Sequence, residues 1–461
     1  MTLKLAIVGG GWAGMAAAVA AAAPDVELTV FEAARELGGR ARALDVGLTE
    51  THRLRLDNGQ HILIGAYTET LNCMQRVGVP LTEVLLPLPL GLPFPDGSGL
   101  RTADWAARWP ATPALLLAIG SARGWAWRDR LALLKVGARW RGQGFDCPGG
   151  QTARDVCQGL TPRVMADLID PLCVSALNLP AAQASGQVFL RVMHDALLGP
   201  GFGPWPASTL LLPRVDLGAL FPNAAASWLR DNLGGAFQLR LGTRVDTIQP
   251  DPAGWRLRGA GLDRVFHRVV WATSAGTAAR TMQQAAQTAS ATGATEPARA
   301  LGAWASTCAA LPFTAIATVY AHSPGARLPR PMLALRDTAG APAQFVFDRG
   351  QLAPHEPFMQ GVLAFVVSAC EGDRSGIEQA VLRQARQQLG LGGLQPLQTV
   401  VERRATFACL PELRRPGLHI APGLCAAGDL VEGPYPATLE AAVRSGLAAV
   451  RRLREMTPPA H

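Results

Sequence analysis

Three glycines near the N-terminus have the spacing of a turn that binds phosphate groups. An apolar run, Leu5 to Val8, precedes Gly9, Gly11 and Gly14, and an alanine-rich stretch follows them. This order predicts a buried strand, a tight turn and a helix that begins near Trp12. Gly9 would permit the turn, Gly11 would let a pyrophosphate approach the backbone, and Gly14 would let helix and strand pack closely. The N–H groups at the start of the helix would then bind the phosphates.

An acidic residue ends the next predicted strand. Leu28 to Phe31 form a second apolar run, and Glu32 follows it. A carboxylate at this position can accept hydrogen bonds from a ribose hydroxyl. A glycine-rich turn alone is weak evidence, but strand, helix, strand and terminal acid in this order predict a dinucleotide-binding unit.

A second glycine pair stands next to basic residues. Gly38 and Gly39 precede Arg40 and Arg42. We interpret this segment as a loop that crosses the pyrophosphate and brings guanidinium charge to it. The alternative is a solvated basic loop, which the upstream motif makes the weaker interpretation.

Polar side chains then cluster in an otherwise apolar segment. Asp57, Asn58, Gln60 and His61 lie within Leu56 to Tyr67. This pattern is typical of a binding site rather than of a core. The alternative is a turn followed by a histidine whose hydrogen bonds are satisfied. That alternative is preferred for the histidine alone, whereas for the group we favour a functional site.

A second informative stretch lies near the C-terminus. A short predicted strand leads into Gly428 and Asp429, and a proline- and glycine-containing loop follows. Pro436 predicts the first turn of a helix that starts at about Ala437. The N-terminus of such a helix places about half a positive charge on a ring bound in front of it.

Composition limits the class of protein. The chain has 461 residues, a mean hydropathy of +0.15 and a net charge of +8, but no apolar run approaches the ~18 residues of a membrane span. The first predicted strand starts at Leu3, so we expect no signal peptide and a cytoplasmic protein. The eight cysteines form no metal-ligand or disulfide pattern. We find no nucleic-acid motif, and the basic surface suits anionic lipid.

A basic amphipathic stretch, Gly124 to Arg141, is a candidate for that lipid contact. At helical spacing Trp127, Leu131 and Leu134 share a face, and basic residues surround them. The stretch could lie in a membrane interface or bury its apolar stripe in the protein's own core, and both alternatives stay open. We take the region from 84 to 141 as the docking face. Other predicted elements are a hairpin within 239–258, a strand at 268–274, a surface helix within 281–300, and strands at 311–320 and 361–368.

Together with the segment PLCVSALNLP, residues 171–180, these motifs resemble the FAD-dependent hydroxysqualene dehydroxylases, relatives of the carotenoid desaturases and amine oxidases. The resemblance implies an α/β fold in which a Rossmann-like, glutathione-reductase-like FAD-binding domain is interleaved with a second domain of mixed sheet and helices. The FAD-binding domain would comprise 1–67, 210–280 and 400–461. The substrate domain would comprise 68–209 and 281–399. An aromatic residue commonly follows the Gly-Asp pair in this family, whereas this chain has Leu430.

The resemblance also assigns residues to the cofactor. It implies that four groups of residues contact FAD. In order, they lie at the pyrophosphate, at the ribose and phosphates, along the flavin ring, and at the adenine and the C-terminal motif. These are Gly9, Gly11, Trp12, Ala13 and Gly14; Glu32, Gly39 and Arg40; Asn58, Gly59, Gln60 and His61; and Val245, after a strand at 239–244, with Gly428, Asp429, Ala437 and Thr438.

The implied reaction is the reductive removal of the allylic hydroxyl of hydroxysqualene, which gives squalene, a precursor of hopanoids and other triterpenes. It requires an acid, a hydride donor and a dry apolar tunnel. We select Asp57 and His61 as candidates for the acid. Asp57 would stay protonated if it were buried without a cationic partner. The substrate, a polyprenyl hydrocarbon alcohol, predicts peripheral attachment to an anionic membrane, and the electron donor stays open.

Three rivals remain. A carotenoid desaturase or isomerase would share the fold and a similar tunnel. An amine oxidase is disfavoured because Lys4 and Lys135, the only lysines, lie away from the predicted flavin, and only Tyr67, Tyr320 and Tyr435 could supply tyrosines to an aromatic cage. A non-catalytic carrier of prenyl lipids is disfavoured by the intact cofactor motifs.

Overall fold

A computed structural model of the chain describes residues 2–49, 51–102, 105, 109 and 111–456. Its strands, numbered along the chain, are β1 (Leu3–Val8), β2 (Val26–Phe31), β3 (Ala43–Gly47), β4 (Arg53–Asp57), β5 (Leu63–Ile64), β6 (Leu85–Leu88), β7 (Gly91–Pro93), β8 (Gly99–Arg101), β9 (Leu210–Pro213), β10 (Phe237–Arg240), β11 (Thr247–Asp251), β12 (Gly254–Gly259), β13 (Leu262–Phe266), β14 (Arg268–Trp271), β15 (Phe313–His322), β16 (Met332–Ala334), β17 (Phe345–Asp348), β18 (Val362–Ser368), β19 (Gln395–Phe407), β20 (His419–Ala421) and β21 (Leu424–Ala426).

The α-helices are α1 (Trp12–Ala21), α2 (Thr68–Arg76), α3 (Leu81–Val84), α4 (Ala111–Ser121), α5 (Trp127–Gly142), α6 (Ala153–Val156), α7 (Pro162–Val164), α8 (Asp170–Leu177), α9 (Gly186–Leu198), α10 (Leu217–Leu220), α11 (Pro222–Leu233), α12 (Ala275–Ala291), α13 (Thr295–Ala309), α14 (Arg349–Leu352), α15 (Arg374–Leu389) and α16 (Leu439–Glu455). A π-helical turn, Met165–Ile169, precedes α8, and 3₁₀ turns lie at Gly234–Ala236 and Pro357–Met359.

A largely parallel sheet carries the glycine-rich turn. Within the described residues its strands lie in the order β10, β2, β1, β14, β21, β20. The neighbours pair in parallel except β20 and β21, which pair antiparallel. Leu5 and Ile7 of β1 pack in the same cluster as α1, α11 and α16, whereas Ala6 and Val8 pack towards β12 and β13. The strand therefore has covered faces on both sides, as parallel strands require, and the predicted Rossmann-like α/β fold is confirmed.

A second sheet is antiparallel. Among the described residues its strands lie in the order β16, β17, β18, β15, β19. On β15, Ala317, Val319 and Ala321 pack on the side of α15. Because side chains alternate along a strand, Thr318 and Tyr320 lie on the opposite face. The predicted strands at 311–320 and 361–368 correspond to β15 and β18.

The segment PLCVSALNLP forms α8 and its C-terminal cap. Asn178 ends the helix in the left-handed conformation, with φ at 52°. Its side-chain amide donates to Thr314 Oγ1 at 2.6 Å, and its oxygen accepts the N–H of Ala369 at 2.8 Å. These bonds join α8 to β15 and to the end of β18. The segment therefore docks α8 onto the antiparallel sheet.

Two predicted details differ from the structure. The hairpin within 239–258 is present as β11 and β12, but the single surface helix predicted within 281–300 is wrong. Two helices, α12 and α13, occupy this region and bury their alanine-rich faces in the core. The predicted boundaries at 280/281 and 399/400 also fall inside α12 and β19, because both elements are continuous. The division into two domains stays a prediction.

The amphipathic stretch forms α5 and uses two different faces. Leu133, Val136 and Trp140 are buried, whereas Trp127 is 74% exposed and Leu131 is 40% exposed. The predicted apolar face thus points away from the core. None of the helices in the described part of the chain is long and apolar enough to cross a membrane.

Candidate functional site

The glycine-rich turn between β1 and α1 leaves backbone N–H groups without a side-chain cap. Gly11 is the N-cap of α1 and has an extended conformation. A Cβ on Gly9 would lie 2.4 Å from the oxygen of Ala272, and a Cβ on Gly14 would lie 1.9 Å from the oxygen of Gly9. Side chains at these two positions are therefore excluded. The nearest atom to a Cβ on Gly11, by contrast, would be Gly39 Cα at 3.8 Å.

The second glycine pair lies over this turn. The N–H of Gly38 donates to the oxygen of Gly10 at 3.0 Å, and Gly11 faces Gly38 in a parallel bridge. Gly39 has a φ of 64°, in the left-handed region that favours glycine. Two glycine backbones thus face each other without intervening side chains, at the start of a helix that offers free N–H groups. This is an anion-binding cradle.

Arg40 connects the cradle to the C-terminal motif. Its guanidinium forms an ion pair with the buried carboxylate of Asp429 and donates to the oxygen of Ala405. The amide of Asn58 donates to the oxygen of Arg40 at 3.2 Å. Three predicted site residues that are far apart in sequence are thereby in one network.

Glu32 stands at the end of β2, beside the cradle. Its carboxylate accepts the N–H groups of Gly10 at 2.7 Å and Ala34 at 2.8 Å. Since an ionised carboxylate has about four acceptor positions, two remain for ribose hydroxyls. The N–H of Thr243 donates to the oxygen of Glu32 at 2.9 Å, so the segment that contains buried Val245 passes close by. The predicted strand 239–244 is shorter, because β10 ends at Arg240.

The C-terminal loop presents its backbone at the start of α16. Tyr435 and Ala437 have φ values of 59° and 62°. The N-cap is Thr438, whose Oγ1 accepts the N–H of Ala441 at 3.1 Å. The helix therefore starts at Leu439, later than predicted, and Pro436 lies outside its first turn. The N–H of Ala437 contacts the oxygen of Asp429 at 3.4 Å, so the two predicted cofactor contacts are adjacent.

A buried carboxylate holds this helix start in place. Glu440 is fully buried and accepts the N–H groups of Glu69 at 3.1 Å and Thr70 at 2.9 Å. Arg444, one turn along α16, donates to it at 2.7 Å. Because both the charge and the lone pairs are satisfied, the pair fixes α16 against α2.

Asp57 is buried, and only 1% of its surface is exposed. Its Oδ1 accepts the N–H of Leu217, at the start of α10, at 2.8 Å. Its Oδ2 has no hydrogen-bond partner among the described residues. Burial raises the pKa of Asp57 to about 6, while the positive charge of Arg349 opposes the rise. The expected protonation at neutral pH is therefore only partial, because a cation is nearby.

The surroundings of His61 favour a neutral imidazole. Burial lowers the pKa of its imidazole. Nδ1 lies 2.7 Å from the oxygen of Gly59, a geometry that assigns the proton to Nδ1. Nε2 then remains as a hydrogen-bond acceptor. His61 is thus better suited to bind a hydroxyl group than to protonate one.

Aromatic and charged groups gather beside the start of α16. The rings of Tyr67 and Tyr435 lie 6.2 Å apart at 73°. Arg191 and Arg444 lie over the ring of Tyr435, at 6.0 and 5.1 Å. The hydroxyl of Tyr435 bonds to the carboxylate of buried Asp195, and burial raises the pKa of Tyr435 to about 12. This group connects α9 to the C-terminal loop.

A small cleft opens next to the Arg40–Asp429 pair. Its walls come from the start of α12, the start of β15, the end of β19 and the Gly-Asp loop. The lining residues are Arg40, Ser274, Ala275, Gly276, Phe313, Arg404, Phe407, Asp429 and Leu430. The cleft lies outside the carboxyl ends of the parallel strands, where ligands of such sheets bind.

The fold and this site define a dinucleotide-binding oxidoreductase. The family model of flavin containing amine oxidoreductases matches residues 12–454. The chain therefore belongs to the flavin-containing amine oxidoreductase family, and FAD is its cofactor. The open space between Gly11 and Gly39, the acceptors of Glu32 and the Arg40–Asp429 pair fit this cofactor.

Individual relatives are more distant. A hydroxysqualene dehydroxylase of Sinorhizobium fredii is 26% identical over 482 residues, which cover 97% of each chain. A carotenoid phi-ring synthase of Streptomyces griseus is 38% identical over 111 residues, 24% of this chain and 21% of that protein. The solved structure of cyclohexylamine oxidase from Brevibacterium oxydans has a TM-score of 0.65 at 17% identity, with 99% of each chain covered.

Two residues of the site were not predicted as such. Arg349 is 2% exposed and donates to Gln60 Oε1 at 3.1 Å. The hydroxyl of Tyr320 donates to the backbone oxygen of Asp57 at 2.9 Å. An Asp-Arg pair at the end of an apolar strand is the signal for Arg349 in the sequence, but the pattern does not indicate its partner.

Proposed function

We propose that this protein removes the allylic hydroxyl of hydroxysqualene reductively, with FAD as cofactor, and releases squalene. The observation that carries the proposal is the similarity to a hydroxysqualene dehydroxylase over 97% of both chains. The polar segment Asp57 to His61 supports it, because it places an acid and a hydroxyl acceptor within one short segment of the chain.

In this mechanism the carbon–oxygen bond of the allylic alcohol breaks, a proton joins the departing hydroxyl to give water, and a hydride joins the carbon. When bound, FAD in its reduced form would supply the hydride. The cofactor would be held by the cradle at Gly11 and Gly39, by Glu32, and by Arg40 with Asp429. Neutral His61 would accept a hydrogen bond from the substrate hydroxyl through Nε2. Asp57, protonated at Oδ2, would provide the proton through a bridging water molecule, because Oδ2 itself is buried.

Product analysis under anaerobic conditions tests this function. Dithionite-reduced holoprotein is incubated with hydroxysqualene, and oxidised holoprotein is incubated with phytoene. We expect squalene from the first mixture, one molecule per reduced flavin, and unchanged phytoene from the second. Unchanged hydroxysqualene in the first mixture would refute the proposal.

A second candidate function is that of a carotenoid desaturase or isomerase. The 38% identity to a carotenoid phi-ring synthase favours it, although the match covers 24% of this chain. A phytoene-type desaturase would pass hydride from the hydrocarbon to the flavin. In the experiment above it would give a desaturated polyene in the second mixture and no squalene in the first.

We also propose a peripheral attachment to anionic membranes in the cytoplasm, since the substrate dissolves in bilayers. The docking face would include Trp105, Trp109, Leu116, Trp127, Leu131, Leu134 and Leu198, which are exposed. Arg130 and Arg139 bond to backbone oxygens of the protein itself. Exposed Arg128 and Lys135 of α5 would therefore meet the lipid headgroups. Residues 103, 104, 106–108 and 110 of the predicted region lie outside the described residues.

Liposome flotation should locate this face. We expect the wild-type protein to float with phosphatidylglycerol vesicles and less with phosphatidylcholine vesicles. Changing Trp127 and Leu131 to Asp should reduce the floating fraction at least fivefold, because two exposed apolar side chains become anionic. Phe358→Asp, which alters an exposed apolar side chain elsewhere, is the control. Unchanged flotation of the double variant would contradict this placement.

A further inference from the structure

Three buried polar side-chain atoms lie close to the segment Asn58–His61. They are Oδ2 of Asp57, Oγ1 of Thr318 and Nε of Arg349, none of which has a hydrogen-bond partner among the described residues. Buried polar groups are usually paired with protein or with ordered water. Three such atoms around one short segment therefore require an explanation.

The residues come from different parts of the chain but form one cluster. Tyr320 donates to the oxygen of Asp57, and Thr318 lies on the same face of β15. A Cβ on Gly59 would lie 3.7 Å from Thr318 Oγ1. Arg349 donates to Gln60. We refer to Asp57, Gln60, Thr318, Tyr320 and Arg349 as the Arg349 cluster.

Arg349 stands at a rigid corner. Asp348 ends β17, and its carboxylate accepts the N–H groups of Leu328 at 3.0 Å and Gln351 at 3.2 Å. Arg349 begins α14 at this corner. A guanidinium with a fixed origin and planar donors holds its acceptor in a defined place.

Arg349 and Asp57 are both buried, yet they form no ion pair within the described chain. Burying two opposite charges that do not contact each other is costly in free energy unless other polar groups solvate them. The positive charge of Arg349 nevertheless acts on Asp57. Nε of Arg349 can donate and Oδ2 of Asp57 can accept, so one internal water molecule would satisfy both atoms.

We propose that Arg349 is a positioning residue of the flavin site, which holds the Asn58–His61 segment through Gln60 and shares an internal water molecule with Asp57 Oδ2. This inference rests on the proposed position of that segment beside the flavin. Arg349 acts through Gln60 and does not touch the substrate. Thr318 Oγ1 gives the water a further partner.

The first test reads the titration of Asp57 without substrate. Three holoproteins are used: the wild type, Arg349→Gln and Arg349→Lys. The unfolding temperature of each is compared, from pH 4 to 8, with that of the same protein carrying Asp57→Asn in addition. Besides Arg349, the charged groups that act on Asp57 are Asp216 and Arg55, which stay unchanged. In each background, the difference in unfolding temperature between the protein with Asp57 and its Asp57→Asn variant changes at the pH where Asp57 titrates. This pH should be at least one unit higher in the Arg349→Gln background than in the wild-type background. In Arg349→Lys it should stay within half a unit of the wild-type value, because the charge remains.

The second test reads positioning. Arg349→Gln and Gln60→Leu should each lower kcat at least tenfold and leave KM within threefold. The double variant should be no slower than the slower single variant, because both changes break the same contact. Arg349→Lys should recover less than half of the activity, since an ammonium group lacks the planar fork. Arg327→Gln, which alters an exposed arginine on the approach to β16, is the control.

Two results would overturn the inference: an unshifted titration in Arg349→Gln, or additive losses in the double variant. FAD content, measured from the visible absorbance, verifies that each variant is folded. If the wild-type protein fails to convert hydroxysqualene, the proposed function fails, whereas the first test still decides whether Arg349 acts on Asp57.

Discussion

Asp57→Asn should lower the turnover of hydroxysqualene by about 10²- to 10⁴-fold at pH 6, the range typical for the loss of a general acid. Asparagine keeps the shape of the side chain and an oxygen for the N–H of Leu217, so the hydrogen bond at the start of α10 should remain. It cannot release a proton from the position of Oδ2. The visible spectrum of bound FAD should be unchanged, because Asp57 bonds to none of the residues of the cradle.

The pH dependence provides a signature of this role. Only protonated Asp57 can donate, and its pKa is about 6. Turnover by the wild-type protein should therefore fall about tenfold for each pH unit above this value, since one unit changes the protonated fraction by that factor. Asp57→Asn should lose this dependence along with the rate.

His61→Ala should reduce turnover less, by about 10- to 100-fold, because it removes one hydrogen bond to the substrate hydroxyl. His61→Gln, which can place an oxygen at a similar position, should recover part of the rate. His355→Ala, at an exposed position, is the control. If Asp57→Asn and His61→Ala both turn over at the wild-type rate with FAD bound, the segment has no part in the chemistry.

The cofactor motifs could be predicted from sequence because each depends on local backbone geometry. Gly9 and Gly14 are required where a Cβ would meet a carbonyl oxygen a few residues away or on the adjacent strand. Glu32 follows from its place at the end of a strand. Such requirements leave a pattern within about thirty residues, which a single sequence displays.

The surroundings of Asp57 could not be predicted in the same way. Its hydrogen bond to Leu217 spans 160 residues, and the bond from Arg349 to Gln60 spans 289. The sequence predicts that Asp57 stays protonated only if no cation lies near it. Tertiary packing brings Arg349 close to Asp57, and the sequence pattern does not indicate this contact. Likewise, the periodicity of α5 is compatible with two apolar faces, and the packing of Trp140 decides which one is buried.

The other large effect concerns stability. We expect the difference in unfolding free energy between the wild-type protein and Asp57→Asn to change by about 2 kcal/mol between pH 4 and pH 7.5, because the unfolded carboxyl group is already partly ionised at pH 4. The pKa of Asp57 is raised from 3.8 to about 6 in the folded protein, and one pKa unit corresponds to about 1.4 kcal/mol. Between these two values the folded state binds the proton more tightly than the unfolded state. The contribution is therefore fully present below pH 4 and is lost as the pH rises through 6.

Relative to the wild-type protein, Asp57→Asn should thus gain stability as the pH rises, because the amide has no charge to bury. Denaturant unfolding with saturating FAD at both pH values measures the two differences. Other carboxyl groups titrate equally in both proteins and cancel. Asp231→Asn, at an exposed position of α11, should show the same difference from the wild type at both values. If Asp57→Asn also shows the same difference from the wild type at both pH values, burial does not raise the pKa of Asp57 in the folded protein, and the prediction is wrong.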